Sequence, residues 1–217
     1  CHQYTNPLGV NIYNTYEEKE RPVEVIVTQA NINPYTEQYS MPPLEVVDMN
    51  LLPAGELITD NTDFIVCPES SIQESIWEGQ FEKSQSLRKI QHFIGEYPHL
   101  GVVIGASTFR EFKEGEELTF SARKFRDFDG YFDAYNTVFY LDGSPNYEVY
   151  HKSKLTPGVE TMPFPEVLGF LEDYAIDLGG TVGSLGIDEV RKVFVRKSDS
   201  LKFSAVICYE SVYGEFF

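Results

Sequence analysis

Short apolar runs alternate with polar, Pro- and Gly-bearing stretches along the chain, and the period of the apolar positions changes from run to run. "VEVIVTQ", Val23 to Gln29, predicts a first buried strand, and "DFIVC", Asp63 to Cys67, a second one stopped by Pro68. Between them Leu44, Val47 and Leu51 recur at helical spacing until Pro53 interrupts the run. Leu87, Ile90, Ile94 and Tyr97 share one face of an amphipathic helix, with Arg88, Lys89 and Gln91 turned away. "HLGVVIGAS" predicts a third strand, and "DAYNTVFYLDG" with "NYEVYHKSK" a β-hairpin around Asp142-Gly143. A Pro- and Gly-rich loop carries Pro157 to Pro165. "EVLGFLEDYAI" then predicts a short helix, and "KVFVRK" with "LKFSAVIC" a last strand pair. Strands alternate with helices in the first half and pair with each other in the second, so the fold class is α/β with a mixed sheet, in two sheets or layers. Residues 1–22, polar and rich in Tyr and Asn, predict a linker or arm leading into a domain over 23–217.

Composition narrows the functions. With 217 residues, 42% of them hydrophobic, the chain is large enough for one domain with a real core. Its net charge of −17, from 34 acidic against 17 basic residues, repels phosphate backbones and argues against nucleic acid and against a polybasic membrane patch. No apolar stretch approaches the roughly 18 residues that a membrane span needs. Cys1, Cys67 and Cys208 make no C-x-x-C, which excludes a zinc ribbon or a redox dithiol on spacing. His2, His92, His99 and His151 make no ligand spacing, so no metal is expected. Glycines 179, 180, 183 and 186 mimic a phosphate loop but lack its Lys-Ser/Thr ending, and a turn-rich loop is the better account.

Three reactive side chains follow predicted strands: Glu69 after "DFIVCP", Lys152 after "NYEVYH" and Cys208 after "KFSAVI". Functional groups gather at strand ends, where a rigid scaffold meets free loops. Alone, Glu69 reads as a solvated residue, Lys152 as a surface charge and Cys208 as a core thiol. Together they make a nucleophile, a base and a cation. A carboxylate can take the thiol proton, and an ammonium nearby would lower the thiol pKa and stabilise an oxyanion, helped by the backbone N–H of Tyr209. That chemistry is acyl transfer through a thioester.

At these residues the chain resembles the nitrilase superfamily with its Glu-Lys-Cys triad, and within it the apolipoprotein N-acyltransferase family, in particular its periplasmic nitrilase-like domain in the Bacteroidetes style. The stretches that carry the resemblance are "VIVTQANINPY", "FIVCPESSI", "VIGAS", "DAYNTVFYLDG", "YHKSKLTPGVE" and "VICYESVYGEF", in order from about Val23 to the end. It implies Glu69 as general base, Lys152 as catalytic lysine, Cys208 as nucleophile, Glu160 as a second loop glutamate, and Tyr209 and Glu210 as the supporting pair after the cysteine. Lys154 stands where many relatives have histidine, and Trp77 falls in the segment after the base. Pro157-Gly158-Val159-Glu160 departs from the family's Pro-Phe-Gly-Glu but keeps the spacing to the glutamate.

The fold so implied is a four-layer α-β-β-α sandwich with mixed sheets, here without its C-terminal part, since members continue well beyond the cysteine and carry transmembrane helices on both sides of the domain. The implied partners are a phospholipid acyl donor and an apolipoprotein acceptor at the periplasmic face of the bacterial inner membrane, with no cofactor and no metal. A soluble amidase or nitrilase using water as second nucleophile, and an inactive truncated module, are the competing expectations. Little transferase activity is expected from the domain separated from a membrane part.

Overall fold

The computed structural model describes residues 11, 14–17, 22–33, 37, 40–157, 160 and 184–216. Most of the expected arm, the helix expected over 166–176, and glycines 179, 180 and 183 lie outside the described residues.

The fold is mixed α/β, built around two long antiparallel strands, β4 (Gly101–Glu111) and β6 (Tyr131–Leu141). Their register runs unbroken from Val102 opposite Leu141 to Glu111 opposite Phe132. Strand β2 (Thr62–Val66) lies parallel to β4, and β1 (Glu24–Val27) parallel to β2. Farther along the same edge of β4 runs β3 (Ile72–Trp77), also parallel to it. Along the outer edge of β6 lie β5 (Arg123–Lys124) and β7 (Glu148–His151), both antiparallel to it. These make one seven-stranded mixed sheet.

Both faces of the sheet's centre are covered, so β4 and β6 are apolar at successive positions rather than at alternate ones. Helices α1 (Pro43–Gly55) and α2 (Gln85–Glu96) pack Val47, Leu51, Leu87, Ile90 and Ile94 onto Ile65, Val102, Ile104 and Phe139 of one face. Each such side chain contributes about 1.5–3 kcal/mol when fully buried. Ser84 caps α2 by accepting from Leu87 N–H at 3.1 Å. Glu74 of β3 completes that cap, accepting from the N–H groups of Gln85 and Ser86 and from Ser84 Oγ at 2.8–3.0 Å. A carboxylate at a helix N-terminus is favoured by the helix dipole, and burial, which opposes its ionisation, is outweighed by these donors, so Glu74 stays below the ordinary carboxyl value.

On the opposite face a ribbon, β8 (Phe194–Val195) with β9 (Lys202–Phe203), packs Phe194, Phe203 and Ile207 against Phe64, Val103, Val138, Tyr140 and Tyr150. Arg196 clamps the ribbon to β2 through Asp63 at 2.6 Å and Asp199 at 2.5 Å, with its guanidinium over the Phe64 ring.

Several expectations need correction. The first strand is shorter than Val23 to Gln29 and is not buried. It pairs only with β2, and Val27 is 75% exposed. Pro53 does not interrupt α1: it sits in the last turn, and the helix runs on to Gly55. A proline N–H is missing there at the cost of one hydrogen bond only, which the burial of Val47, Leu51 and Ala54 offsets. Strand β3 was not foreseen. The last strand pair shrinks to two residues in each strand, and Ser204 to Ile207 has no ladder partner among the described residues. The expected sheets or layers are present as the seven-stranded sheet and the ribbon. A second full sheet and a fourth layer are not among the described residues.

Candidate active site

Glu69 and Lys152 sit at breaks in two strand lines that flank the β4–β6 ladder. On the β4 side, β2 ends at Val66 and β3 resumes at Ile72 along the same partner strand. The chain between them stays close to β4, with Cys67 N–H on Val103 O at 2.8 Å and Gly105 N–H on Pro68 O at 3.3 Å. Gly105 permits this. A Cβ there would stand 2.7 Å from Glu69 Cα and 2.9 Å from Ser70 N, both backbone atoms. Ser70 turns the chain with φ +57°, a left-handed conformation that costs a residue with a Cβ about 1–2 kcal/mol.

On the β6 side, β7 ends at His151 opposite Thr137, and Lys152 N–H donates to Asn136 O at 2.8 Å. Side chains alternate across a strand, so Lys152 falls on the opposite face from His151 and on the same face as Asn136. His151 is held on the other face, with Nδ1 at 2.9 Å from Thr137 Oγ1, Nε2 at 3.1 Å from Glu78 and its ring stacked on Tyr135.

Cys208 does not end a strand. It opens a 3-10 helix, Cys208–Val212, with φ +46°. Cys208, exposed as a residue, and the segment from Phe203 to Ile207 close one side of a cavity of about 280 Å³, whose other walls include Val66, Glu69, Val103, Gly105, Asn136 and Val138. Glu210 holds this turn. Completely buried, it accepts from Ile207 N–H at 2.8 Å, Ser153 N–H at 2.7 Å, Ser153 Oγ at 3.0 Å and Tyr150 OH at 2.5 Å. One carboxylate thus joins the cysteine turn to the chain just after Lys152. Glu210 therefore supports the site from beneath; none of its hydrogen bonds reaches the sulfur.

Lys152 is fully buried and carries Glu160 at 2.9 Å (Oε1) and 2.8 Å (Oε2), with Glu69 Oε1 at 3.7 Å. Glu160 also accepts from Thr156 N–H at 2.7 Å and Asn136 Nδ2 at 3.2 Å. Burial opposes its ionisation, but Lys152, Thr156 and Asn136 together hold its carboxyl below the ordinary value. Asn136 Nδ2 also donates to Glu69 Oε1. Asn136 was not singled out in the sequence. Its place opposite Ser107 on β6, facing the same side as Lys152, becomes visible only with the register.

The Cys208 thiol lies above its ordinary pKa. Burial raises it first, then the negative charge of Glu69. Lys152 pulls down, a hydrogen bond to Glu69 adds to the rise, and the Tyr209 N–H pulls down again. This corrects one expectation: Lys152 does pull the thiol pKa down, but it is outweighed. Cys67, buried beside the site, is pushed up to about 11 by burial and is chemically quiet. Trp77 lies within an aromatic group, its ring 5.4 Å from Phe109, 5.8 Å from Phe125 and 5.9 Å from Phe132. Among the described residues, no group of three His, Cys, Asp or Glu could hold a metal ion, and no helix is long and apolar enough to cross a membrane.

The structure therefore brings Glu69, Asn136 and Cys208 to one cavity wall, with the buried Lys152–Glu160 pair behind Glu69 and Asn136 and with Glu210 beneath the cysteine turn. No family model matches the chain, and no curated protein matches it significantly. Among solved structures it is similar to a glutamine-dependent NAD(+) synthetase from Cytophaga hutchinsonii, at 13% identity and a TM-score of 0.39, over 83% of this chain and 24% of that one. It is also similar to the glutamine-dependent NAD+ synthetase from Acinetobacter baumannii, at 16% identity and a TM-score of 0.38, over 84% of this chain and 27% of that one. The chain spans about a quarter of the length of either, and a likeness this loose carries no statement of family or activity.

Proposed function

We propose that this chain is the nitrilase-like domain of an apolipoprotein N-acyltransferase, with Glu69, Lys152 and Cys208 as its catalytic residues. The observation that carries the reading is their convergence. Three residues far apart in the chain meet: the Cys208 thiol and the Glu69 carboxylate line one cavity, and the buried Lys152 ammonium stands 3.7 Å from that carboxylate.

The raised thiol pKa means that the resting sulfur is protonated, so the base acts during attack. Glu69 takes the Cys208 proton as the sulfur attacks the ester carbonyl of a phospholipid. The Sγ–C bond forms, and Lys152 stabilises the oxyanion. Collapse breaks the C–O bond, Glu69 returns the proton to the leaving oxygen, and a lysophospholipid departs. The amine of an N-terminal diacylglyceryl-cysteine then attacks the thioester and gives a proton to Glu69; the C–N bond forms, the C–S bond breaks, Glu69 returns the proton to the sulfur, and the amide departs. Glu160 holds Lys152 in place throughout. The cavity beside Cys208 supports an acyl substrate over a polar amide, since its wall is mainly apolar, with Val66, Val103, Val138, Phe203, Val206 and Ile207 in it. In the same reading the fold is a four-layer sandwich that works at the periplasmic face of the inner membrane.

The test separates transfer from hydrolysis. Incubation with a long-chain p-nitrophenyl ester should load a hydroxylamine-labile acyl group on Cys208, seen by peptide mass. A diacylglyceryl-cysteine peptide should then accept it as an amide. Glu69→Gln and Cys208→Ser should abolish loading. Release of the acyl group to water at the same rate with and without the peptide would overturn the transferase and favour a hydrolase.

A further inference from the structure

We propose that Asn136 is a positioning residue that keeps Lys152 available to the reacting oxygen, by donating to Glu69 in the lysine's place. The inference rests on the catalytic roles proposed above for Glu69, Lys152 and Cys208.

The argument is one of donors and acceptors. A lysine ammonium has three N–H groups and no acceptor. Lys152 engages both Glu160 oxygens, at 2.9 and 2.8 Å. Glu69 Oε1, at 3.7 Å, is outside hydrogen-bond distance, and among the described residues Nζ has no third hydrogen-bonded acceptor. Two carboxylates flanking one buried ammonium would ordinarily both close on it, because attraction grows steeply as water is excluded. The Asn136 amide prevents this. Its two N–H groups are divided between Glu69 Oε1 and Glu160 Oε1, the latter at 3.2 Å. Glu69 thus has a close donor that carries no charge, and the third N–H of Lys152 is kept for an oxygen that becomes charged during reaction.

Register makes the position specific. Asn136 faces Ser107 across the β4–β6 ladder, and its own carbonyl receives the Lys152 N–H at 2.8 Å. That main-chain bond survives any substitution at 136, so truncating the side chain leaves Lys152 anchored and removes only the amide. Without the amide, Lys152 would close the 3.7 Å gap to Glu69. The oxyanion would then lose its donor, while Glu69 would keep an oxygen for the thiol proton.

Two reactions of Cys208 separate this role from packing. Alkylation by iodoacetamide displaces iodide at a saturated carbon and forms no oxyanion. Acylation by p-nitrophenyl butyrate passes through one, releasing p-nitrophenolate as the thiol proton goes to Glu69. Both are read at the Cys208 peptide by mass. Asn136→Ala should slow acylation on the order of 100-fold, the scale of a lost oxyanion donor, and slow alkylation less than about threefold. Asn136→Ser, which keeps polarity but not reach, should behave alike. Equal slowing of both reactions, or slowing of neither, would overturn the inference. So would loss of folding in both variants, since the residue would then act through stability. Glu69→Gln provides the separate check on the underlying reading. It should slow both reactions, and if it slows neither, the catalytic roles themselves fail. If it slows both while Asn136→Ala does not separate them, only the role of Asn136 fails.

Discussion

Glu210→Gln is the sharpest probe of how the cysteine turn is held. The substitution keeps the volume of a completely buried side chain. It exchanges a carboxylate that accepts through both oxygens for an amide with one acceptor. If the amide oxygen takes the Oε1 place, Tyr150 OH, Ser153 N–H and Ser153 Oγ keep a partner at 2.5–3.0 Å. Each of these bonds falls from the strength of a bond to a charged group to that of a neutral one, a loss of about 1 kcal/mol each. The amide nitrogen then faces Ile207 N–H, which had Oε2 at 2.8 Å. Two donors face each other, and the stranded one costs about 1–3 kcal/mol. Burying a neutral amide rather than a charge returns part of this sum. The net expectation is a loss of about 3 kcal/mol, read as a lower urea midpoint at unchanged m-value. Alkylation of Cys208 should slow in the same variant, because its turn loses its tie to the chain after Lys152. A loss below about 1 kcal/mol, or an unaltered alkylation rate, would refute the view that Glu210 supports the site from beneath.

Gly105→Ala should push Glu69 away from Asn136 and Lys152, since the new Cβ would meet backbone atoms at 2.7–2.9 Å that cannot rotate aside; a loss of about 1–3 kcal/mol, with slower Cys208 acylation, is the expected outcome by thermal melting and ester burst. Glu160 has a depressed folded pKa, so its contribution to stability is present above the unfolded value near 4.5 and is lost as pH falls through the folded one. Glu160→Gln should therefore flatten the acid side of the stability–pH curve measured by urea melts, and an unchanged slope would count against the pairing.

Much of the scaffold was legible in the chain. The amphipathic pattern of α2 and the two runs of the β6–β7 hairpin are local signals, because side-chain period follows directly from backbone geometry. The places of Glu69 and Lys152 just after strands were legible for the same reason, whereas Cys208 opens a 3-10 turn that no period announces. Strand β3 was hidden because its interior, Gln73-Glu74-Ser75, is polar. Those residues span a register shift between Ile72 and Ile76, and Glu74 leaves the strand to cap α2. The exposure of β1 was hidden too, since Val-Ile-Val reads alike on an edge and in a core.

The sequence by itself determined which residues could react and which segments could be helix or strand, since composition, period and chain breaks are properties of neighbours along the chain. Only the tertiary structure decided what those residues do to each other. The β6–β7 pairing sets Asn136 beside Lys152, and the chain after β2 crosses Gly105 at Glu69. The tertiary structure also makes Glu210 an anchor and raises the Cys208 thiol pKa where the residue types alone suggested a lowering. Hydrogen-bond partners and burial act through space over a few ångströms, and the residues that share such a space lie far apart in the chain.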